Sequence, residues 1–324
     1  MWIKRTFTNN RASQGGATYT KYSDLTVTNS TFTGNNSSGS GGAIFYLGAN
    51  GDTGKIILRA NTFTNNTAVN SGGAIYSQLY NRETSLIDNN TFSGNSISSS
   101  NSGRGGAIYN VSSIVSGLPG FTGGTNSTVL TITNSTFSAN TATFQGGGLF
   151  DSGATTVNIT NSTFSGNKAT AAYGEGGAIW KSSAGKINIT NSTIANNTAG
   201  NSGGGIFGGG STSKLTNTII ANNVANNASK TQQNCSSALT NGGNNLQFSS
   251  VNPNSNECGS AIQWGDPLLG ALANNGGRTQ TMLLLSGSPA INAGNNATCP
   301  TTDQRSILRS KGDICDIGAV EMIP

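Results

Sequence analysis

The chemistry open to this chain is narrow. No histidine occurs among its 324 residues, which removes the commonest base near neutral pH, the commonest metal ligand and the usual middle member of a nucleophilic triad. Serine is abundant but has no base to activate it. Only 12 residues are acidic. Acid–base hydrolysis needs two facing carboxylates, and calcium-dependent elimination needs several acids and a base. Asp24, Asp52, Glu83, Asp88, Asp151 and Glu175 are scattered instead through a repetitive region at unequal offsets. They read as solvated loop charges, so no catalytic residue, metal site or cofactor is expected. Asp303, Arg305, Asp316 and Glu321 are closer together, and Arg305 is expected to pair with Asp316 or Glu321 as a structural staple. The four cysteines, Cys235, Cys258, Cys299 and Cys315, fall in the same C-terminal stretch. They allow three pairings; proximity along the chain favours Cys235 with Cys258 and Cys299 with Cys315. An even, clustered set suggests an oxidising compartment.

The residues that recur are of another kind. One motif places an aromatic or aliphatic residue before an asparagine, as in Phe32-Thr-Gly-Asn35, Phe63-Thr-Asn-Asn66, Phe92-Ser-Gly-Asn95 and Phe164-Ser-Gly-Asn167. A second reads Gly41-Gly-Ala-Ile-Phe45, Gly72-Gly-Ala-Ile-Tyr76, Gly105-Gly-Ala-Ile-Tyr109 and Gly176-Gly-Ala-Ile-Trp180. Successive Gly-Gly pairs begin 26, 31, 33, 41, 30 and 27 residues apart from Gly15 to Gly203. A fixed unit of this period means a solenoid. Between the motifs, Leu25-Thr-Val27-Thr-Asn29, Val157-Asn-Ile159-Thr-Asn161 and Ile187-Asn-Ile189-Thr-Asn191 alternate apolar and polar residues, the pattern of strands with one buried face. The Gly, Asn and Ser content disfavours helices.

Short strands in a unit of this length fit an all-β, right-handed parallel β-helix of about eight coils, which at roughly 4.8 Å per coil is a rod about 35–40 Å long. Asn29, Asn134, Asn161 and Asn191 are expected to close one strand of each coil, and Asn35, Asn95, Asn140 and Asn167 the next, with stacked amides at turns that tolerate left-handed backbone. Extra length, such as Val111 to Thr125, leaves the coil as a loop. The fifth position of the Gly-Gly motif is aromatic in every copy: Tyr19, Phe45, Tyr76, Tyr109, Phe150, Trp180 and Phe207. If the fourth position points inward, the fifth points outward. The rings then form a stripe that either grips sugar rings or a partner protein, or stacks on itself to shield the sheet.

The paired Gly-Gly-Ala-Ile and Phe-x-x-Asn motifs, over residues 7 to about 227, resemble the polymorphic outer membrane protein repeats of chlamydial surface proteins and other secreted bacterial β-helix proteins. The resemblance implies a surface-exposed or secreted β-helix, often adhesive. From Asn234 the repeat dissolves. Gly265-Asp-Pro-Leu-Leu-Gly270, Asn275-Gly-Gly-Arg-Thr-Gln-Thr281, Gly287-Ser-Pro-Ala-Ile-Asn292, Asp303-Gln-Arg305 and Cys315-Asp-Ile-Gly-Ala-Val-Glu321 resemble a choice-of-anchor Q domain, with Met282 where His is expected and Ser306 where Gly is expected. Residues 1–230 are accordingly assigned to the β-helix and 231–324 to a small, loop-rich, disulfide-bearing C-terminal cap that covers the open end of the last coil.

Charged residues make up 9% of the chain, and the net charge of +5 is spread thinly, which gives nucleic-acid binding no support. No apolar run is long enough to cross a bilayer. Met1 leads directly into the second half of a repeat and the chain stops soon after Glu321, so both ends read as boundaries within a longer secreted precursor. The Asn-x-Ser/Thr triplets at Asn29, Asn134, Asn161 and Asn191 are formal glycan acceptors, although a glycan there would disturb a turn. The expectation is a non-enzymatic, extracellular or surface-anchored bacterial adhesin or structural rod. Its expected partners are a surface glycan, a host or neighbour-cell protein, or another copy end to end in a filament. A polysaccharide lyase or hydrolase is the alternative, and it requires coil stacking to gather carboxylates on one face.

Overall fold

The computed structural model describes residues 1–48, 54–100, 102–113, 128–250, 257–309 and 314–323. These residues contain strands and turns but no helix. The strands form four sheets of nine, ten, eight and seven members, and every pairing between named strands is parallel with the corresponding strand of the neighbouring coil. One coil shows the plan: Leu25–Thr28 on the first face, Thr31–Thr33 on the second, Asn36–Ser37 on the third and Ile44–Leu47 on the fourth. The next repeats it at Lys55–Arg59, Thr62–Thr64, Thr67–Ala68 and Ile75–Tyr80. Of the expected loop at Val111 to Thr125, Val111–Ser113 end the strand Ile108–Ser113, and the rest lies outside the described residues.

Alternation decides which side chains enter. Leu25 and Val27 are buried while Thr26 and Thr28 face outward. On the second face Phe7, Phe32, Phe63, Phe92, Phe137 and Phe164 lie in register and stack through the core at centroid spacings of 4.6, 4.7, 4.8, 4.7 and 4.4 Å. Burying each such ring contributes about 1.5–3 kcal/mol. The fourth position of the Gly-Gly motif, from Ile44 to Ile206, lines the opposite wall. The two glycines have different tasks. Gly41 takes a left-handed φ of 68°, which costs glycine nothing, whereas a Cβ on Gly42 would meet the Gly73 carbonyl oxygen at 2.0 Å. Only a bare backbone lets successive coils approach this closely.

Both asparagine sets close strands, but with divided labour. At the first corner Asn29, Asn134, Asn161 and Asn191 adopt left-handed φ of 50°, 51°, 46° and 42°. The residue that follows makes the interior ladder: Ser30 N–H donates to Asn61 Oδ1 (2.9 Å), and Asn61 Nδ2 to Asn90 Oδ1 (3.0 Å). At the second corner the left-handed residue precedes the asparagine, as Gly34, Asn65, Gly94 and Ala139. Asn35, Asn66, Asn95, Asn140, Asn167, Asn197 and Asn223 then stack in the interior, each Nδ2 donating to the next Oδ1 at 2.8–2.9 Å up to Asn223. The amide stacking expected of Asn29 and its equivalents therefore belongs chiefly to the next residue, because a left-handed residue turns its own side chain away from the core.

The C-terminal stretch extends two of the sheets and then braces the flank. Thr240–Asn241 pairs with the first face, and Leu246–Phe248 followed by Gln263–Trp264 extends the second. Residues 265–309 and 314–323 then lie back along the solenoid rather than over its end. Gly318 N–H donates to the Asn217 carbonyl (2.8 Å), Ala319 N–H to Thr193 Oγ1 (3.1 Å), Thr163 Oγ1 to Gln304 Oε1 (2.7 Å), Thr136 Oγ1 to the Gln280 carbonyl (2.5 Å), and Arg278 to Asn29 Oδ1 (2.7 Å). Outward residues of the second face report the cover. Thr62 is exposed and Thr91 half-buried, while Thr136, Thr163 and Ile219 are fully buried. Ile219 and Ala221 form a second small core with Leu246, Leu284, Ala290, Ile317 and Val320.

Candidate functional site

The fifth motif position does point outward, and register aligns all seven rings in one row on the fourth face: Tyr19, Phe45, Tyr76, Tyr109, Phe150, Trp180 and Phe207. Successive centroids are 5.1, 4.6, 5.1, 4.8, 4.5 and 6.1 Å apart, with ring planes within 13° of parallel. Parallel pairing fixes this arrangement, since it places identical positions one strand spacing apart. The face of each inner ring is thus occupied by its neighbours, and what reaches solvent is a ribbon of ring edges. Tyr19, at the open end, is 51% exposed, Phe45 and Phe150 are buried, and the others are half-buried.

Polar groups rim the ribbon. The residue before each Gly-Gly pair forms a row of single bridges through Ser40, Ser71, Arg104, Gln145, Glu175 and Ser202. The Arg104 guanidinium lies 5.5 Å from the Phe150 ring centroid, a cation–π distance. Glu175 accepts hydrogen bonds from Gln145 Nε2 (2.8 Å) and Trp180 Nε1 (3.0 Å). On the other side Tyr76 Oη donates to Gln78 Oε1 (3.3 Å). Burial pushes the Tyr76 phenol up to about 12, with Tyr109 and Tyr80 adding to the rise. Burial also raises Tyr109, opposed by the nearby Arg104. The hydroxyls of Tyr76 and Tyr109 therefore stay protonated as donors well above neutral pH.

The acids are distributed as the repeat offsets imply, yet several are not solvated loop charges. Asp24 forms a half-exposed pair with Lys55 at 3.8 Å. Asp52 lies outside the described residues. Glu83 is buried and accepts the Tyr80 N–H at 2.9 Å. Asp88 Oδ1 accepts from Thr133 Oγ1 (2.8 Å) and Asn134 Nδ2 (3.0 Å). Asp151, in the strand Leu149–Ser152, points into the solenoid at 0% exposure, 2.9 Å from Lys181 Nζ. Register does not gather these acids: Asp88 is flanked by Arg59 and Thr133, Asp151 by Asn110 and Lys181, and Glu175 by Gln145 and Ser202. Among the described residues no group of three His, Cys, Asp or Glu side chains stands together as a metal site.

In the C-terminal segment the ion pairs differ from expectation. Arg305 pairs with Asp303, two residues away, through Nε (2.9 Å) and Nη2 (2.8 Å), and also donates to the Glu321 backbone carbonyl. Arg309 is the partner of the Glu321 carboxylate at 3.4 Å, while Asp316 accepts the N–H groups of Asn292 (2.7 Å) and Met322 (2.5 Å). Nearest-neighbour proximity favoured Asp303 once it is held in the same turn. The disulfides are Cys235–Cys258 and Cys299–Cys315. The triplet asparagines Asn29, Asn134 and Asn161 are engaged by Arg278, Asp88 and the Thr302 carbonyl. No helix of the described residues is long and apolar enough to cross a membrane, which leaves strand-built membrane structures unaddressed.

Four segments of the chain, residues 6–21, 29–46, 62–78 and 161–181, match the model of the Chlamydia polymorphic membrane protein repeat. Each contains part of the Phe-x-x-Asn or Gly-Gly pattern, so the matched segments coincide with the second-face and fourth-face strands of the solenoid. No curated protein and no solved structure matches the chain.

Proposed function

We propose that this chain is part of a non-enzymatic, surface-displayed bacterial rod whose fourth face is an adhesive surface for a protein on a host or neighbouring cell. The carrying observation is the aromatic stack, uninterrupted from Tyr19 to Phe207, with Tyr76, Tyr109, Trp180 and Phe207 half-buried along it and Arg104 and Glu175 at its rim. Stacking on sugars uses ring faces, and these are occupied along the stripe. Ring edges and phenol hydroxyls favour a protein partner instead, since aromatic and Arg side chains dominate protein contacts. Repeats of the polymorphic membrane protein type support surface display, and the resemblance of residues 265–321 to an anchor-associated domain supports attachment at the C-terminal end.

The test is an array of extracellular-matrix proteins and glycans probed with wild type and a Tyr76→Ala, Tyr109→Ala, Trp180→Ala variant, with far-UV circular dichroism as the folding control. Protein binding lost in a folded variant is the expected result. Glycan binding lost in its place reassigns the partner class. Binding that survives, or none by either protein, overturns the adhesive reading and leaves the stripe as scaffold.

A further inference from the structure

The sixth position of the Gly-Gly motif follows the aromatic stripe and returns to the interior. Its occupants, in register, are Tyr46, Ser77, Asn110, Asp151 and Lys181. A charged pair here is anomalous, because desolvating two ions costs more than their attraction returns unless both are fully satisfied. They are not. Lys181 Nζ lies 2.9 Å from Asp151 Oδ1 with both side chains at 0% exposure, yet Oδ1 receives no directed hydrogen bond. The ammonium donates instead to the Gly153 carbonyl at 3.2 Å. It is accommodated by Gly185, where a Cβ would stand 2.6 Å from Nζ. The other carboxyl oxygen, Oδ2, accepts from Asn110 Nδ2 at 2.7 Å.

We propose that Lys181 and Asp151 join in a side-chain amide that cross-links two successive coils from inside the solenoid. The amine is held against the carboxyl group in a water-poor interior, which replaces an intermolecular encounter with a positioned one. The ion pair first passes a proton from Nζ to Oδ1. Burial lowers the cost of this transfer, because it raises the Asp151 carboxyl to about 6 against the opposing pull of the nearby positive charge. The neutral amine then attacks Cγ. Charge develops on Oδ2, where the Asn110 amide already donates, in the manner of an oxyanion-stabilising group. The Cγ–Oδ1 bond breaks and the Cγ–Nζ bond forms. Of the three protons on the original ammonium, two leave with Oδ1 as water and one remains on the amide nitrogen, so no oxidant or cofactor is required. The product is neutral, which removes the desolvation cost of the pair. Asn110 is here a positioning residue for the link.

The experiment is intact mass spectrometry of the purified chain after disulfide reduction. The expected wild-type mass is lower than the sequence mass by one water. Digestion should yield one branched peptide joining the segments around Asp151 and Lys181, with no tryptic cleavage after Lys181. Lys181→Met, which keeps the stem but has no amine to be acylated, should restore the full mass. Asn110→Ala should leave a larger unlinked fraction, while Ser77→Ala, in the same row without contact to the carboxylate, should link normally. A wild-type mass equal to the sequence mass overturns the proposal without recourse to any variant. So does a water loss that persists in Lys181→Met, which would place the dehydration elsewhere.

Discussion

Replacing Asn95 by alanine should separate the interior amide ladder from ordinary strand pairing. Asn95 Oδ1 accepts from the backbone N–H of Asn66 (3.0 Å) and from Asn66 Nδ2 (2.9 Å), while its Nδ2 donates to the Phe63 carbonyl (2.9 Å) and to Asn140 Oδ1 (2.9 Å). In Asn95→Ala the Asn140 oxygen keeps the Asn95 N–H and Asn66 Nδ2 keeps the Phe32 carbonyl. The Asn66 N–H and one lone pair of the Phe63 carbonyl lose their partners in a site where Asn66, Asn95 and Asn140 are all at 0% exposure. At about 1–3 kcal/mol for each of these two stranded buried groups, the cost should be about 2–6 kcal/mol. Asn10, at the open end of the same ladder, is exposed and its side chain makes a single bond, to Asn35 Oδ1 at 2.7 Å. Asn10→Ala should cost less than about 1 kcal/mol. Urea unfolding followed by far-UV circular dichroism gives both values from the midpoint at constant slope. Equal losses in the two variants would refute the argument, because they would show that the amides add nothing beyond the strand ladders they accompany.

Three further outcomes follow from neighbouring groups. Tyr76 has its phenol raised from 10.0 to about 12 by burial. Its neutral form is therefore preferred in the folded state, and the associated stability is intact below pH 10 and lost as pH rises through about 12. Tyr76→Phe keeps the ring stack and should flatten the alkaline part of the stability–pH profile measured by urea midpoints; an unchanged profile would show that other groups control it. Arg309 binds Asn161 Oδ1 (2.9 Å), the Gly318 carbonyl (2.8 Å) and Glu321 (3.4 Å), so Arg309→Met should weaken tail docking by about 3–5 kcal/mol. Limited proteolysis should then cut between residues 265 and 323 before the coils, and a tail as resistant as wild type would contradict the brace. Removing the Cys235–Cys258 link, which closes 23 residues, as the double serine variant should cost about 3 kcal/mol, read as faster amide exchange in the last coil than in the first.

The repeat was legible because parallel stacking makes each coil obey the same local rules. Gly-Gly, the alternating strands and the asparagine turns are short-range constraints, and sequence displays short-range constraints directly. The side chains at Asp151 and Lys181 were also within reach of that logic: if Ile179 points inward and Trp180 outward, Lys181 must point inward again. Reading charge as a sign of solvent hid them. The turn asparagines were placed correctly, but not the residue that stacks, since Ser30 and Asn61 depend on where the left-handed position leaves the chain. Arg305 found Asp303 rather than Asp316 because a tight turn, invisible as periodicity, holds the two within one hydrogen-bonded loop. The return of residues 265–309 and 314–323 along the flank is a long-range event, and no motif in those residues encodes its direction.

A trace of that docking exists in the repeats themselves, and it bears on function. The second-face strands read Thr-Phe-Thr or Thr-Phe-Ser in the early coils but Thr193-Ile-Ala195 and Ile219-Ile-Ala221 in the last two. Of their outward positions Ala195, Ile219 and Ala221 are apolar, and Ile317 and Val320 share a small core with Ile219 and Ala221. The outward apolar patch of Ile219 and Ala221 on the second face is thus covered by the chain itself. The fourth face carries the larger outward apolar series, from Tyr19 to Phe207, while the hydrogen bonds of the tail run along the second face and the corner before it. Self-stacking explains why those rings are tolerated in water, but not why an aromatic residue recurs at all seven registers when the outward row of the first face varies through Thr26, Ile57, Leu86, Thr131 and Asn158. On the proposed function, this row of seven stacked rings, beside an arginine and a glutamate already oriented by ring contact and hydrogen bonds, is the surface offered to a partner.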